Sequence, residues 1–279
     1  MKTITLSDHT NDKLKDYEEH REHLYQDSLN RHNNKIREKL NRRKEITTNI
    51  SKDLRSYKIL SGLGNLVRLT FNILTPNPPK PTKSQPSGTE IIWASGNKGE
   101  SRAFESLNKQ LNEEWTAIKG YCNAKGEIDM LTIGPYGIIA MEIKYINGDI
   151  YCDGDKWRKD KFDRYGNLVE TLAITDKKGR SPSMQVNESA DILERYLKKN
   201  SINVRIYRMV IFSHELSKIK EIKNKTVDYI GNIQLIDINK LFFQKSIGFN
   251  KKDIEKIIYC IKNNHNFYNN KQNIKKSIK

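Results

Sequence analysis

A mixed α/β domain behind a long helical arm is what the sequence predicts, on three observations. After residue 90, helix-periodic stretches alternate with short, apolar, β-branched runs, as in a sheet covered by helices. Two of those runs, Ile128 to Ile133 (IDMLTI) and Gly137 to Ile143 (GIIAMEI), flank Gly134-Pro135-Tyr136-Gly137. Pro at the second position and Gly at both ends mark a tight turn, so the pair reads as an antiparallel hairpin. Residues 11 to about 58, by contrast, carry dense mixed charge and almost no apolar clusters.

Taken in order, that charged stretch reads as one solvated helix. Leu14, Tyr17, Leu24, Ile36, Leu40, Ile50 and Leu54 fall at scattered helical positions, and Arg21, Arg43 and Thr47 break any heptad seam. Ile59 to Leu74 is a short amphipathic run, too short to span a bilayer and interrupted by Arg68, expected to pack on the body or on a partner chain. Flanked by Arg55 and Lys58, it leaves an interfacial helix as the alternative. Thr75 to Thr89 holds Pro76, Pro78, Pro79, Pro81 and Pro86 and reads as a stiff, extended linker. The expected boundaries are therefore an arm over 1–74, a linker over 75–89, a globular domain over 90–250, and a basic helix and tail over 251–279. The arm has no core of its own and is expected to be dispensable for folding.

Within the globular part, Gly99-Glu100 opens a helix (SRAFESLNKQL), and Trp115 to Tyr121 is a first strand before the hairpin. Gly148-Asp149-Ile150 continues the strands, and Pro182-Ser183-Met184-Gln185 opens a helix with apolar spacing at Val186, Ala190, Leu193 and Leu197. Arg205 to Phe212 is a later strand, and Asn239 to Lys245 and Lys251 to Asn263 read as helices.

The hairpin carries the chemistry. Centred between Pro135 and Tyr136, it pairs residues whose numbers sum to about 271, which sets Asp129 opposite Glu142 on one face. Lys144, two residues on, returns to that face, while Ile143 points into the core. Two carboxylates can hold a hard cation through oxygen, and an ammonium can steer a water or steady a phosphate. The same dipeptide spacing recurs at Glu221-Ile222-Lys223, but among Lys218, Lys220, Asn224 and Lys225 with no apolar strand leading into it, so that copy reads as a solvated loop or helix face.

Net charge is +16, which argues for an anionic partner, nucleic acid before membrane. The three cysteines lack metal-ligand spacing, which disfavours zinc, and together with the absence of an apolar leader points to the cytoplasm. His20 and His23 could share a helix face, but nothing completes a metal site around them. Lys156, Trp157, Arg158, Lys159, Lys161 and Arg180 interleave base and aromatic in a loop after the hairpin and are expected to face nucleic acid.

In this order the elements from residue 96 to 245 resemble the nuclease-related domain (NERD), a branch of the PD-(D/E)XK restriction-endonuclease-like superfamily. The resemblance implies a restriction-endonuclease-like mixed sheet flanked by helices. It also implies a site of Glu100 on the first helix, Asp129 and Glu142 as metal ligands, Lys144 as catalytic lysine and Gln185 on the following helix. Asn167 to Arg180 departs from the pattern as an enlarged polar loop. The resulting expectation is a deoxyribonuclease using Mg²⁺, with Mn²⁺ as substitute, whose oxygen shell is completed by the Ile143 carbonyl and waters. Lys144 is expected to have its pKa lowered by the adjacent cation and partial burial. Self-association through the arm is a second partner expectation, membrane association is not expected, and the competing class is a non-catalytic nucleic-acid-binding or adaptor protein on the same fold.

Overall fold

The computed structural model describes residues 1–56, 58–238 and 248–277, with side chains up to residue 270. It resolves into two compact units, Met1–Asp12 with Ile91–Lys279, and Lys13–Glu90.

The larger unit is built on a six-stranded mixed sheet. In chain order its strands are β1 (Lys2–Thr5), β2 (Thr116–Cys122), β3 (Glu127–Gly134), β4 (Gly137–Lys144), β8 (Ile206–Phe212) and β10 (Tyr229–Asn232), and they lie side by side in that order. The strands β2, β3 and β4 form an antiparallel meander, whereas β4, β8 and β10 run parallel. Helix α3 (Gly88–Gln110) covers one face through Ala103 and Leu107, with Leu111 just past its end, against Met130, Met141 and Ile211. Helix α4 (Pro182–Lys199) and helix α5 (Lys251–Ser277) pack into the other apolar cluster, where Val186, Leu193 and Ile257 join Ile118, Leu131 and Val210. Burying both faces explains why β3 and β4 read as near-continuous apolar runs rather than alternating ones. Ser181 caps α4 by accepting the Met184 N–H at 3.2 Å.

A second sheet, ordered β7 (Leu168–Ala173), β6 (Lys156–Phe162), β5 (Gly148–Asp153) and β9 (Ser217–Lys223), stands beside it. Its inner face is Ile150, Cys152 and Trp157; its outer face is charged. This sheet corrects two readings. Residues 156–173 are a β-hairpin rather than a polar loop, and Glu221-Ile222-Lys223 ends a strand rather than lying in a loop or helix. Strands with one solvated, charged face lack the apolar run that marks a buried strand.

The arm is corrected at its start. Lys2–Thr5 is a strand that pairs in parallel with β2, and Ile4 and Leu6 pack against the core, so the first residues belong to the body. Gly120, at φ +68°, lets Ser7 lie over β2: a Cβ there would stand 2.1 Å from the Ser7 carbonyl oxygen. The helix expected over Asn239 to Lys245 falls outside the described residues.

In the smaller unit, α1 (His9–Arg55, which begins in the larger unit) continues as a helix with no buried residue, and α2 (Ile59–Leu74) folds back along it. Arg43 of α1 donates to Asn72 of α2 at 2.9 Å, and Lys39 reaches Asn77 at 3.2 Å. The proline-rich stretch then runs without regular secondary structure, tied to α1 by Lys83 with Glu22 and by Arg21 with Ser84.

Candidate active site

The hairpin forms in the register its turn dictates. Met130 pairs Met141 and Gly134 pairs Gly137, and one step further sets Asp129 against Glu142. The Asp129 carboxylate accepts the Ile143 N–H at 2.7 Å, and Lys144 Nζ donates to Glu142 Oε1 at 2.5 Å. Ile143 itself turns into the opposite core cluster, beside Met141 and Ile211, as alternation requires. The parallel pairing of Lys144 with Phe212 extends to a Ser213 N–H donated to the Lys144 carbonyl at 3.0 Å, which pins the strand end that bears the lysine.

The other two residues arrive from the helices. Lys144 Nζ also donates to Gln185 Oε1 at 3.4 Å, and Gln185 Nε2 donates to the Arg180 carbonyl at 3.0 Å. Glu100 comes in on α3 because Gly99 lets that helix press against the sheet. A Cβ on Gly99 would lie 2.8 Å from the Tyr145 Cβ and 3.0 Å from the Ser213 hydroxyl. The five residues therefore stand around one end of the sheet, Glu100 across from Gln185.

Sequence reasoning passed over Glu127. It lies two positions before Asp129 on β3, and its charge interacts with those of Glu100 and Glu142. The first residues of the chain supply hydroxyls: Ser7 donates to Glu127 and Thr10 to Glu100, each at 3.1 Å. Tyr145, tilted against His214 with centroids 4.6 Å apart, has the Lys98 ammonium 5.4 Å from its ring.

The carboxylates are electrostatically crowded. Burial raises the Glu100 carboxyl to about 7, against the Thr10 hydrogen bond and with Glu127 and Asp8 adding to the rise. Burial likewise raises Asp129 well above the usual range, reinforced by Glu142 and Glu100 and opposed by Lys144. Glu127 rises by burial, against the Ser7 hydrogen bond and with Glu142 and Asp8 adding. At Lys144 burial works to lower the value, but Glu142 and Asp129 outweigh burial and raise it, so without a cation beside it the ammonium keeps its proton. Burial or a nearby cation can each lower a lysine, but here two carboxylates stand beside it and prevail.

Such a set suits a hard divalent cation: the donors are carboxylate oxygens, they outnumber the lysine among them, and their repulsion is what a cation would relieve. Among the described residues, no three His, Cys, Asp or Glu side chains are already gathered as a metal cage. Thr10, Ser7, the Ile143 N–H and Lys144 occupy carboxylate oxygens instead.

The copy at Glu221 and Lys223 makes the same contact at 2.7 Å, but its side chains are 62% and 64% exposed, against 6% and 24% for Glu142 and Lys144. Burial separates the site from the solvated pair.

The expected nucleic-acid face divides. Trp157 is buried at 3% exposure, tilted against Phe212 and donating to Ser183 Oγ at 2.9 Å, so it is a core residue and has no face left for a base. Arg180 is bound to Asp176 at 2.8 Å, to the Lys125 carbonyl at 3.0 Å and to Glu188 at 3.5 Å; it ties the turn that positions Gln185 rather than reaching out. Lys156, Arg158 and Lys161 are exposed and Lys159 half-buried on β6. Lys156 and Arg158 line a cleft of about 340 Å³ that also takes in Tyr151, Asp153 and Lys223, with Arg158 over the Tyr151 ring at 4.5 Å.

A sequence model of the nuclease-related domain (NERD) matches residues 95–213, a span that contains Glu100, Asp129, Glu142, Lys144 and Gln185. No curated protein and no solved structure matches the chain.

Proposed function

We propose, from the match of residues 95–213 to the nuclease-related domain, that this protein is a metal-dependent nuclease acting on DNA, with Mg²⁺ as its ion and Mn²⁺ as a substitute. The observation that carries the reading is the convergence of Asp129, Glu142 and Lys144 on one sheet end, with Glu100 and Gln185 against them. Asp129 and Glu142 would hold the ion through carboxylate oxygens, with the Ile143 carbonyl as a further oxygen. When bound, such an ion acidifies a water and offsets the charge that builds on phosphorus.

The remaining side chains orient the reacting groups. Lys144 offers its ammonium to a phosphate oxygen or to the attacking water, and Gln185 fixes its direction while itself anchored on the Arg180 carbonyl. Glu100, on the other wall, adds a third carboxylate to hold the attacking water. Lys98 and Tyr145 stand beside the site as a cation and a ring for the substrate backbone and base.

Cleavage of circular and linear DNA with Mg²⁺, Mn²⁺, Ca²⁺ or chelator tests the proposal. Turnover is expected with the first two and little with Ca²⁺, whose looser shell positions water poorly. Glu142→Ala should abolish cleavage while DNA binding persists, and Lys144→Ala should slow it about 100-fold or more. Lys223→Ala in the solvated copy should be silent. The competing reading, a non-catalytic nucleic-acid-binding fold, draws on the carboxylates being engaged by hydroxyls and lysine. Metal-independent binding with no cleavage under any ion would establish it and remove the nuclease assignment.

A further inference from the structure

Helix α2 presents its faces the wrong way round for water. Ser61 and Asn65 donate to Asp53 Oδ2 of α1 at 2.8 and 3.0 Å, and Asn72 takes hydrogen bonds from Arg43 on its side chain at 2.9 Å and its carbonyl at 3.0 Å. Spacings of four and seven put these residues on one stripe, so the polar stripe is the one turned toward the chain's own helix. Leu60, Leu63, Val67, Phe71 and Leu74 form the opposite stripe, and they lie open, Leu60 at 88%, Phe71 at 75% and Leu74 at 81% exposure. A helix on a soluble body normally turns its apolar stripe inward. The inversion leaves a contiguous apolar strip that a second apolar phase has to cover.

Charge says which phase. Val67 and Phe71 border a cleft of about 640 Å³ between α1 and α2, whose rim carries Lys35, Lys39, Arg42 and Arg68 against the single acid Glu38. From Arg31 to Arg68 the acids are Glu38, Glu45 and Asp53, amid a run of lysines and arginines. A second copy of the chain would bring this positive rim against its own image. An anionic phospholipid surface offers acyl chains for the strip and phosphates for the rim. The helix has 16 residues, about 24 Å, short of the roughly 30 Å hydrocarbon core, and no described helix is long and apolar enough to cross a membrane.

We infer that α2 is an interfacial helix by which this protein lies on an anionic bilayer, its Leu60–Leu74 stripe among the acyl chains and Lys35, Lys39, Arg42 and Arg68 at the headgroups. Binding of this kind scales with buried apolar area plus attraction to anionic lipid.

Flotation of the full chain with vesicles tests it. Equal parts phosphatidylglycerol and phosphatidylcholine should carry the protein up at least about tenfold better than phosphatidylcholine alone, since each cation near such a surface contributes about fivefold. Raising the salt should weaken the binding. Leu63→Glu with Phe71→Glu should lose flotation by about 100-fold while helical circular dichroism stays unchanged, because both side chains are largely exposed, Leu63 at 55% and Phe71 at 75%. A milder variant, Phe71→Trp, should keep binding and blue-shift its emission on anionic vesicles. Three results would overturn the inference. One is no flotation with either vesicle; another is equal flotation with both. The third is a dimer mass by light scattering that Leu63→Glu with Phe71→Glu returns to monomer, which would make a second copy the cover.

Discussion

Asp129 keeps its place through one backbone N–H, from Ile143, while burial and the charges of Glu142 and Glu100 all act against its ionised form. Asp129→Asn retains an acceptor for that N–H and removes the charge. It should abolish cleavage and yet stabilise the metal-free protein at pH 8 by on the order of 1 kcal/mol, read by chemical denaturation. The opposite sign would mean that Asp129 is a net structural asset. Glu100 gives a pH signature. Its carboxyl ionises near 4.5 in an unfolded chain and near 7 in the fold, so between those values the folded state binds the more protons. Its contribution is present below pH 4.5, is lost as pH rises, and levels off above 7. In a denaturation series from pH 4.5 to 8, Glu100→Gln should remove that fall relative to wild type, and added Mg²⁺ should oppose it by favouring the ionised carboxylates. These residues were legible to different degrees. Asp129, Glu142 and Lys144 follow from the turn and a period of two, whereas Ile128 shares a core cluster with Leu131 rather than with Met130, so that period does not extend to Glu127. Ser7 and Thr10 approach the site only through tertiary packing and leave no local signal.

The elements show where that legibility stops. Strands β3 and β4 are buried on both faces, so composition alone marks them, and Gly-Pro-Tyr-Gly fixes their register. Strand β1 is four residues at a sheet edge, and β6, β7 and β9 carry charge on their solvent side, so none shows an apolar run. Within β6, alternation separates two roles that the linear sequence ran together. Trp157 is on the inner face with Ile150 and Cys152, whereas Lys156 and Arg158 pair Asp153 and Tyr151 on the outer one. Trp157→Ala should therefore cost about 3–5 kcal/mol of stability, as a large core truncation does, and weaken DNA binding only as far as the protein unfolds. Lys156→Ala with Arg158→Ala should leave the melting temperature unchanged and flatten the dependence of log affinity on log salt by about 0.9 for each phosphate no longer neutralised. Equal slopes for the double variant and wild type would take nucleic acid off this face.

At the scale of the whole molecule, the chain begins its larger unit, leaves it after Asp12, and re-enters it at Ile91. The exit and the return are neighbours: His9 meets Trp93 edge-on with centroids 5.5 Å apart, and Thr10 bonds to Glu100. Residues 13–90 therefore behave as an insertion into the body rather than an arm ahead of it, and the two kinds of truncation should differ sharply. Replacing 13–90 by a short Gly/Ser linker leaves β1, Ser7 and Thr10 in place, and a flexible loop costs little once its ends are already close. That variant should unfold cooperatively near the wild-type temperature and keep metal-dependent cleavage, while losing any binding to anionic vesicles along with α2. Deleting residues 1–12 removes far less chain but strips β1 from β2 and uncovers the core behind Ile4 and Leu6. It also leaves Glu127 and Glu100 without the Ser7 and Thr10 hydroxyls. It should lose about 2 kcal/mol or more from the apolar burial alone. Thermal unfolding by circular dichroism, run beside the cleavage assay, decides between them. If the 13–90 replacement aggregates while the short N-terminal deletion folds and cuts normally, the body does not close through its first strand and the insertion reading fails.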